Sequence, residues 1–411
     1  MSTLKRVLTA SLSDNGTVED YDVNLDALPV VSERALVECE VALDVCEYSM
    51  ESLIALSSDD TQGTHTDALR QIVASSALAP FGYSQEEIST VVVSQEGIVD
   101  KMKEMANAVW EFIKKMVAET LKFFDQHISN VGRMDKSFRA LHAKAKDAKG
   151  NPKSKTLSSS KFAFYGLAGK SDKEVVAVIN QSAAIADNII AHPQLAAAAG
   201  RGSEMMMELF SSNDRQLEGK LTNIAELWNQ GARKALGLEG NKMGYYLDLP
   251  GEDRIIQFKA FTQGNFVTVA EISVETPDKA PEGKEVEAPN YSGVLATCEA
   301  GVNLAKILMG KKQAIRDMPK KILQGQGVLE NAINAAVLPM FTVPEHRTLI
   351  KEVIKSYRRM AMNTTYLNRI GIKEGYRALV MGYAFAKAGY KNLDGAAFTD
   401  SGQKALPAPS N

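Results

Sequence analysis

The chain has 411 residues, of which 45% are hydrophobic and 24% charged, so it is long enough for two domains and apolar enough to bury a core. Its formal net charge is −3. Its three cysteines are too few for a disulfide framework, and this low number predicts a reducing compartment. No stretch resembles a secretory signal, and a stable membrane span is not expected because no stretch approaches about 20 consecutive apolar residues.

The first predicted elements lie in residues 1–96. Residues 14–31 lack a helical period and are expected to form an extended arm. An amphipathic helix is predicted from Ser32 onward, because apolar residues recur every three or four positions, namely Leu36, Cys39, Leu43, Cys46, Met50 and Leu53. We expect its two thiols to serve as small buried apolar groups. A shorter helix is predicted over "TDALRQIVASSAL", whereas "SQEEISTVVV" is compatible with a helix or a strand.

A long amphipathic helix is predicted from Ile98 to about Ile128, because one apolar stripe runs through it. A separate basic helix, "DKSFRALHAKAKDAK", and a flexible basic loop, "GNPKSKTLSSS", are predicted next. Helical pieces follow over "SDKEVVAVINQSAAIADNII", "SEMMMELF" and "RQLEGKLTNIAELWNQGARKAL", with a helix-breaking turn expected at Gly200-Arg201-Gly202.

The hydrophobic period changes between Met243 and Val274, where β-branched and aromatic residues predict short strands separated by turn sequences. A Pro-rich linker, "ETPDKAPEGKEVEAPN", follows. The remaining predicted helices cover residues 292–311, 318–337, 344–369 and the segment "IKEGYRALVMGYAFAKAGY", before a tail that is expected to be disordered.

These elements predict a mainly α protein, a multi-helix bundle with a small antiparallel β meander inserted near residues 243–276. The predicted divisions are an acidic N-terminal segment (1–96), a helical domain with the long helix and the meander (97–276), a linker (277–290) and a C-terminal helical domain with its tail (291–411).

Charge is distributed unevenly along the chain. Residues 1–96 contain four basic and seventeen acidic residues, a net charge of −13, whereas residues 97–411 contain 43 basic and 33 acidic residues, a net charge of +10. We therefore expect the body to attract polyanions and the N-terminal segment to oppose that attraction while it is attached.

Catalytic and metal-binding patterns are not found in the sequence. The five histidines are scattered outside metal-ligand spacing, and there is no phosphate-binding loop, nucleophile elbow or zinc-protease motif. Sequence spacing therefore predicts a non-enzymatic protein without a metal or cofactor.

Basic residues are concentrated in three places. The densest patch supplies the candidates for non-specific contact with DNA phosphates, namely Lys136, Arg139, Lys144, Lys146, Lys149, Lys153 and Lys155. Two further patches comprise Lys311, Lys312, Arg316, Lys320 and Lys321, and Lys351, Lys355, Arg358 and Arg359. Each patch is also compatible with an ordinary solvated face, and no motif for reading DNA sequence accompanies them.

The helical body, the acidic N-terminal segment and the sequence Ser94-Gln95-Glu96-Gly97 before the long helix resemble the internal head proteins of φKZ-like giant bacteriophages. The resemblance implies a structural protein of the capsid interior that is assembled in the host cytoplasm. Its implied partners are a phage prohead protease, the capsid, other internal head proteins and packaged DNA. The protease would cut a precursor after Glu in a Ser/Ala/Gly-x-Glu motif, and some copies would leave with the genome.

That motif maps onto Ser94, Gln95 and Glu96, with Gly97 as the new N-terminus. Glu96 is preferred among several matches because it separates the two charged regions and precedes the long helix. Earlier cuts after Glu51 and Glu86 would give stepwise trimming. Three further matches end at Glu204, Glu239 and Glu275.

Three other classes of protein remain open on the sequence alone. A membrane-active helical protein would insert the region from Trp110 to Phe124, although aromatic residues at helical spacing are more typical of a core. An enzyme could be centred on the small sheet, and an uncleaved cytoplasmic scaffold could keep its acidic arm permanently.

Overall fold

The computed structural model describes residues 33–59, 67–92, 95–148, 150–158, 167, 169–211, 217–238, 246–250, 254–260, 262–263, 266–275, 285–325, 327–328, 331 and 344–396. The predicted arm (14–31) and C-terminal tail lie outside these residues, as does most of the Pro-rich linker. The predicted fold class is confirmed, because the protein is mainly helical with a few short antiparallel strands.

The N-terminal region forms three helices, α1 (Arg34–Asp59), α2 (Asp67–Leu78) and α3 (Gln85–Val92). The stripe predicted for α1 is buried, including both of its cysteines. The ambiguous stretch at α3 is helical, and a reciprocal cap explains why its valines do not form a strand. The backbone N–H of Ser84 donates to Glu87 at 2.7 Å, and the backbone N–H of Glu87 donates to the Ser84 hydroxyl at 3.3 Å.

Helix α4 (Gln95–Ala148) contains 54 residues and is about 80 Å long at 1.5 Å per residue. The prediction of two separate helices in this region is wrong. Gly132 does not interrupt α4 because the buried stripe continues past it through Met134 and Phe138. The apolar contacts on either side outweigh the intrinsic cost of a helical glycine, about 1 kcal/mol.

Three helices follow, α5 (Asp172–Ile189), α6 (Pro193–Ser211) and α7 (Leu217–Ala235). Ser171 and Glu174 form a capping box at the start of α5. The turn predicted at Gly200-Arg201-Gly202 is wrong, since α6 continues through it. A Cβ at Gly202 would lie 3.0 Å from the Met360 sulfur, so glycine allows close packing here.

The predicted meander is confirmed. Strands β2 (Tyr246–Leu249), β3 (Arg254–Lys259) and β6 (Glu271–Glu275) form an antiparallel sheet in the order β2-β3-β6, and β4 (Thr262–Gln263) pairs with β5 (Phe266–Val267). Asn229 of α7 anchors the chain before β6 by accepting a hydrogen bond from Ala270 N and donating one to Thr268 O.

Two segments predicted to be irregular pair with each other. Strand β1 (Thr156–Ser158) lies in the predicted basic loop, and β7 (Glu285–Glu287) lies in the predicted linker. They form an antiparallel ladder in which Leu157 is opposite Val286, which is buried. Long-range pairing therefore orders these short polar segments, although their composition favours loops.

The C-terminal region comprises α8 (Tyr291–Gly310), α9 (Lys312–Ile322) and α10 (Pro344–Lys391). The prediction of two helices over residues 344–390 is wrong, because α10 is continuous through Gly371 and Gly375, which pack closely on Ile190 and Leu308. Helices α1, α8 and α10 all pack against α4. One hydrophobic cluster therefore extends from Leu36 to Leu393.

Candidate functional site: an acidic helix paired with buried arginines

Helix α1 uses two adjacent faces. Its apolar stripe packs against α4, and Leu43, Cys46 and Leu53 are fully buried there. The neighbouring face carries the acidic residues Glu40, Asp44 and Glu47, and Glu33 directly precedes the helix, so the four acids have spacings of seven, four and three residues. These spacings keep the carboxylates on one side of a helix with 3.6 residues per turn.

The acidic face of α1 is turned toward α10 and contacts its arginines. Asp44 and Glu47 both form ion pairs with Arg358. Toward the other end of α1, the distance from Glu40 Oε1 to Arg369 Nη2 is 2.9 Å, and that from Glu33 Oε1 to Lys373 Nζ is 2.8 Å. The two helices are therefore antiparallel, and opposite charges face each other along their contact.

The two arginines are buried. Only 7% of Arg358 and 6% of Arg369 is exposed to solvent. The Arg369 guanidinium also lies 5.0 Å from the centre of the Tyr366 ring, within the range of a cation–π contact. Breaking a buried ion pair by removing one partner costs about 3–5 kcal/mol, so the carboxylates of α1 are needed to hold these cations in the protein interior.

Burial also changes the acidity of groups at this contact. It raises the pKa of the Glu47 carboxyl, and the neighbouring charges of Arg358, Arg359 and Lys355 act in the opposite direction. Burial likewise raises the pKa of the Cys46 thiol on the adjacent apolar face to about 11. That thiol is therefore protonated near neutral pH and behaves as part of the core.

The predicted cleavage sequence lies at the start of α4. Ser94 is outside the described residues, whereas Gln95 and Glu96 form the first turn of the helix and Gly97 is partly exposed. The alternative Glu86 occupies the first turn of α3 and is exposed, but Glu51 lies well inside α1. Glu86 and Glu96 lie in the first turn of a helix, whereas Glu51 lies in the middle of one, so opening the backbone at Glu51 breaks more intrahelical hydrogen bonds.

The predicted DNA-contact residues lie near the end of α4 and in the loop after it. Lys149 is outside the described residues, and the other six are exposed, namely Lys136, Arg139, Lys144, Lys146, Lys153 and Lys155. Arg139 is paired with Asp135 at 2.9 Å. The loop is fixed to the end of α10, because Lys153 N donates to Asn392 O at 2.7 Å.

The other two basic patches differ from each other. Around α9, Lys311 pairs with Asp187 at 2.7 Å and Arg316 pairs with Asp125 at 3.0 Å, so this patch is exposed but partly neutralised. The third patch is not an ordinary solvated face, because Arg358 is buried against α1. The sequence analysis missed that contact, because it joins two helices that are far apart in the chain.

Several features bear on the alternative functions. The region from Trp110 to Phe124 is part of the continuous helix α4, and Phe123 and Phe124 are buried. A pocket of about 240 Å³ lies between α6 and α7, and Arg201 and Lys234 are among its lining residues. Across the described ranges, no group of three or more His, Cys, Asp or Glu side chains could hold a metal ion.

One described helical stretch, Asp172–Leu209, is long and apolar enough by composition to cross a membrane. The sequence analysis did not single out this stretch, because polar residues such as Asn180, Gln181 and Asp187 interrupt its apolar runs. A turn at Ile190 and Ala191 divides the stretch into α5 and α6, and residues such as Ile179 and Ile189 belong to the hydrophobic cluster. Core helices of globular proteins have the same composition, so the finding is weak evidence for a membrane span.

Comparison with known protein families gives a match. The family model for phiKZ-like phage internal head proteins matches residues 23–370, which include α1, the predicted cleavage sequence and both buried arginines. No curated protein and no solved structure matches the chain.

Proposed function

Because the chain belongs to the family of phiKZ-like phage internal head proteins, we propose that it is a non-enzymatic structural protein of the capsid interior that is made as a precursor. The acidic segment 1–96 is a propeptide. A phage prohead protease cuts after Glu96, and further cuts after Glu51 or Glu86 divide the segment so that it can leave the body. Assembly takes place in the host cytoplasm, together with the capsid and other internal head proteins.

The charge boundary is the observation that supports this proposal most strongly. The net charge changes from −13 to +10 at Glu96, at the first turn of α4. Once the acidic segment has left, the charge of the body favours contact with the phosphates of packaged DNA. The exposed patch that begins at Lys136 and Arg139 is a candidate surface for this contact. Contacts of this kind do not read the DNA sequence. We also propose that some copies leave the capsid with the genome.

The proposal is tested by the N-terminus and intact mass of the protein isolated from purified virions. We expect a chain that begins at Gly97. In virions that carry Glu96→Gln, we expect the chain to keep its acidic segment or to begin after Glu86, because the protease needs the acid.

A matched control is Glu204→Gln, which removes the acid from another motif match inside α6, where the backbone is helical on both sides. This change should leave the N-terminus at Gly97. A chain from virions that still begins at Met1 or Ser2 would contradict the propeptide and favour the uncleaved scaffold, while leaving the structural role of the family in place.

A further inference from the structure

Helix α10 carries a row of cations on the side that α1 covers. Arg358 and Arg369 are eleven residues apart, which is about three helical turns or 16 Å, and Lys373 follows one turn later. All three residues pair with acids of α1. The row is therefore a linear array of cations, and each of them faces an acid on the neighbouring segment.

The chemistry of this array is not restricted to carboxylates. A guanidinium is a planar fork that binds a carboxylate or a phosphate through two parallel hydrogen bonds, and it stays charged even when it is buried. Arg358 contacts two carboxylates, and Arg369 lies within 4 Å of two more. The acids of α1 thus occupy positions that phosphate oxygens of a nucleic-acid strand can take.

We infer that the face of α10 bearing Arg358, Arg369 and Lys373 is a binding surface for the phosphates of nucleic acid, and that α1 occupies it as an intramolecular competitor. This inference rests on the proposed function, in which the body lies against packaged DNA. It assigns that contact to a surface covered in the precursor rather than to the exposed patch at the end of α4. No base-reading group is required, so the binding is independent of sequence.

Full-length variants test whether α1 blocks this surface. The variant Glu40→Gln/Asp44→Asn/Glu47→Gln neutralises three acids that face the arginines. The control variant Glu38→Gln/Glu86→Gln/Asp100→Asn neutralises three exposed acids elsewhere, so both variants have the same net charge. Binding to short duplex DNA of mixed sequence is measured across a series of salt concentrations.

We expect the first variant to bind DNA more tightly than the control variant. Its plot of log affinity against log salt should be steeper by about 2, because each newly available arginine adds about 0.9 to the slope. Equal affinity and equal slope in the two variants would overturn the inference, since net charge alone would then explain the binding.

A second pair of variants locates the surface. In the background of the three neutralised acids, Arg358→Gln/Arg369→Gln should remove the added affinity, whereas Lys136→Gln/Arg139→Gln should remove little of it. The reverse result would place the DNA on the α4 patch. It would overturn the inference and leave the proposed function intact.

Because the neutralised variant leaves buried arginines without counterions, it can lose stability. Amide hydrogen exchange of the wild-type chain, with and without DNA at low salt, therefore provides an independent test. DNA should speed exchange in α1, which it displaces, and leave exchange in α8 unchanged. An unchanged rate of amide exchange in α1 at saturating DNA would contradict the inference. The proposed function is tested separately, by the N-terminus of the protein in virions.

Discussion

His127 is a titratable side chain in the packing between α4 and α10. Its Nδ1 lies 2.9 Å from the carbonyl oxygen of Phe123, and its ring makes an edge contact with Tyr376 at a centroid distance of 5.0 Å. Burial lowers the pKa of His127 below its usual value of 6.5, although the Phe123 carbonyl and the charge of Glu33 act in the opposite direction. Lys373 reinforces the effect of burial.

The lowered pKa predicts that His127 makes stability depend on pH. Around and below pH 6.5 the unfolded chain binds more protons at this histidine than the folded chain does, so the free energy of unfolding falls as the pH is lowered. His127→Gln should reduce this slope below pH 6.5, by at most about 1.4 kcal/mol per pH unit. Urea unfolding of both proteins across this range measures the slope.

The comparison has an internal control above about pH 8, where the histidine is neutral in both states, so the difference in unfolding free energy between the two proteins should be constant there. If the plots of unfolding free energy against pH were parallel for the two proteins over the whole range, His127 would titrate alike in the folded and unfolded chains, and this prediction would be wrong.

At the scale of elements, the contact between α4 and α8 depends on the absence of a side chain at Gly301. A Cβ atom at this position would collide with the ring of Phe138, which is fully buried and makes an edge contact with Tyr383 at 5.4 Å. Gly301 thus allows the two helices to approach closely around one aromatic ring.

Gly301→Ala should therefore destabilise the protein by about 1–3 kcal/mol, because the extra methyl group overpacks the helix contact. Gly132→Ala is the matched control on α4. A Cβ at Gly132 meets no atom within 4 Å, so this change should stabilise the protein by about 0.5–1 kcal/mol through helix propensity. Thermal or urea unfolding of both variants measures the sign of each change in unfolding free energy. If Gly301→Ala stabilised the protein, the close approach of the two helices would be contradicted.

The elements differ in how far the sequence predicts them. The stripe of α1 and the strands of the meander follow from local periodicity and turn chemistry, and they were predicted correctly. The continuity of α4 and α10 was not predicted, because their glycines look like breaks until the packing around them is known. The pairing of β1 with β7 depends on contacts between distant segments, which composition does not encode.

The candidate site was less predictable than the fold. The separation of charge between residues 1–96 and the remainder can be counted directly in the sequence. The contact that neutralises Arg358 joins residues 314 positions apart, from Asp44 to Arg358, and depends on the tertiary fold. Solvated and buried basic residues look alike in a sequence, so Arg358 could not be separated from its neighbour Arg359 without the structure.

At the scale of the whole molecule, the N-terminal segment is part of the core. The apolar stripe of α1 packs against α4, and Ala74, Leu78 and Ile88 of the following helices are also buried in the same cluster. A single peptide cut at Glu96 breaks none of these contacts. Removal of the segment would expose an apolar surface that folded proteins normally cover.

We therefore expect the two pieces to stay associated after a cut between residues 96 and 97. A protease site introduced there should give two bands under denaturing conditions but one species in native size-exclusion chromatography. Residues 97–411 produced alone should aggregate, whereas production together with residues 1–96 should restore a soluble complex. Spontaneous separation of the pieces at neutral pH would contradict this prediction.

The antiparallel contact between α1 and α10 also has a consequence for synthesis on the ribosome. The 314 residues between Asp44 and Arg358 take about 15–60 s to translate at 5–20 residues per second. The acidic helix therefore emerges long before the arginines that it will neutralise. Each newly made arginine of α10 meets a counterion already in place, and the nascent chain need not present this cationic helix to cellular RNA.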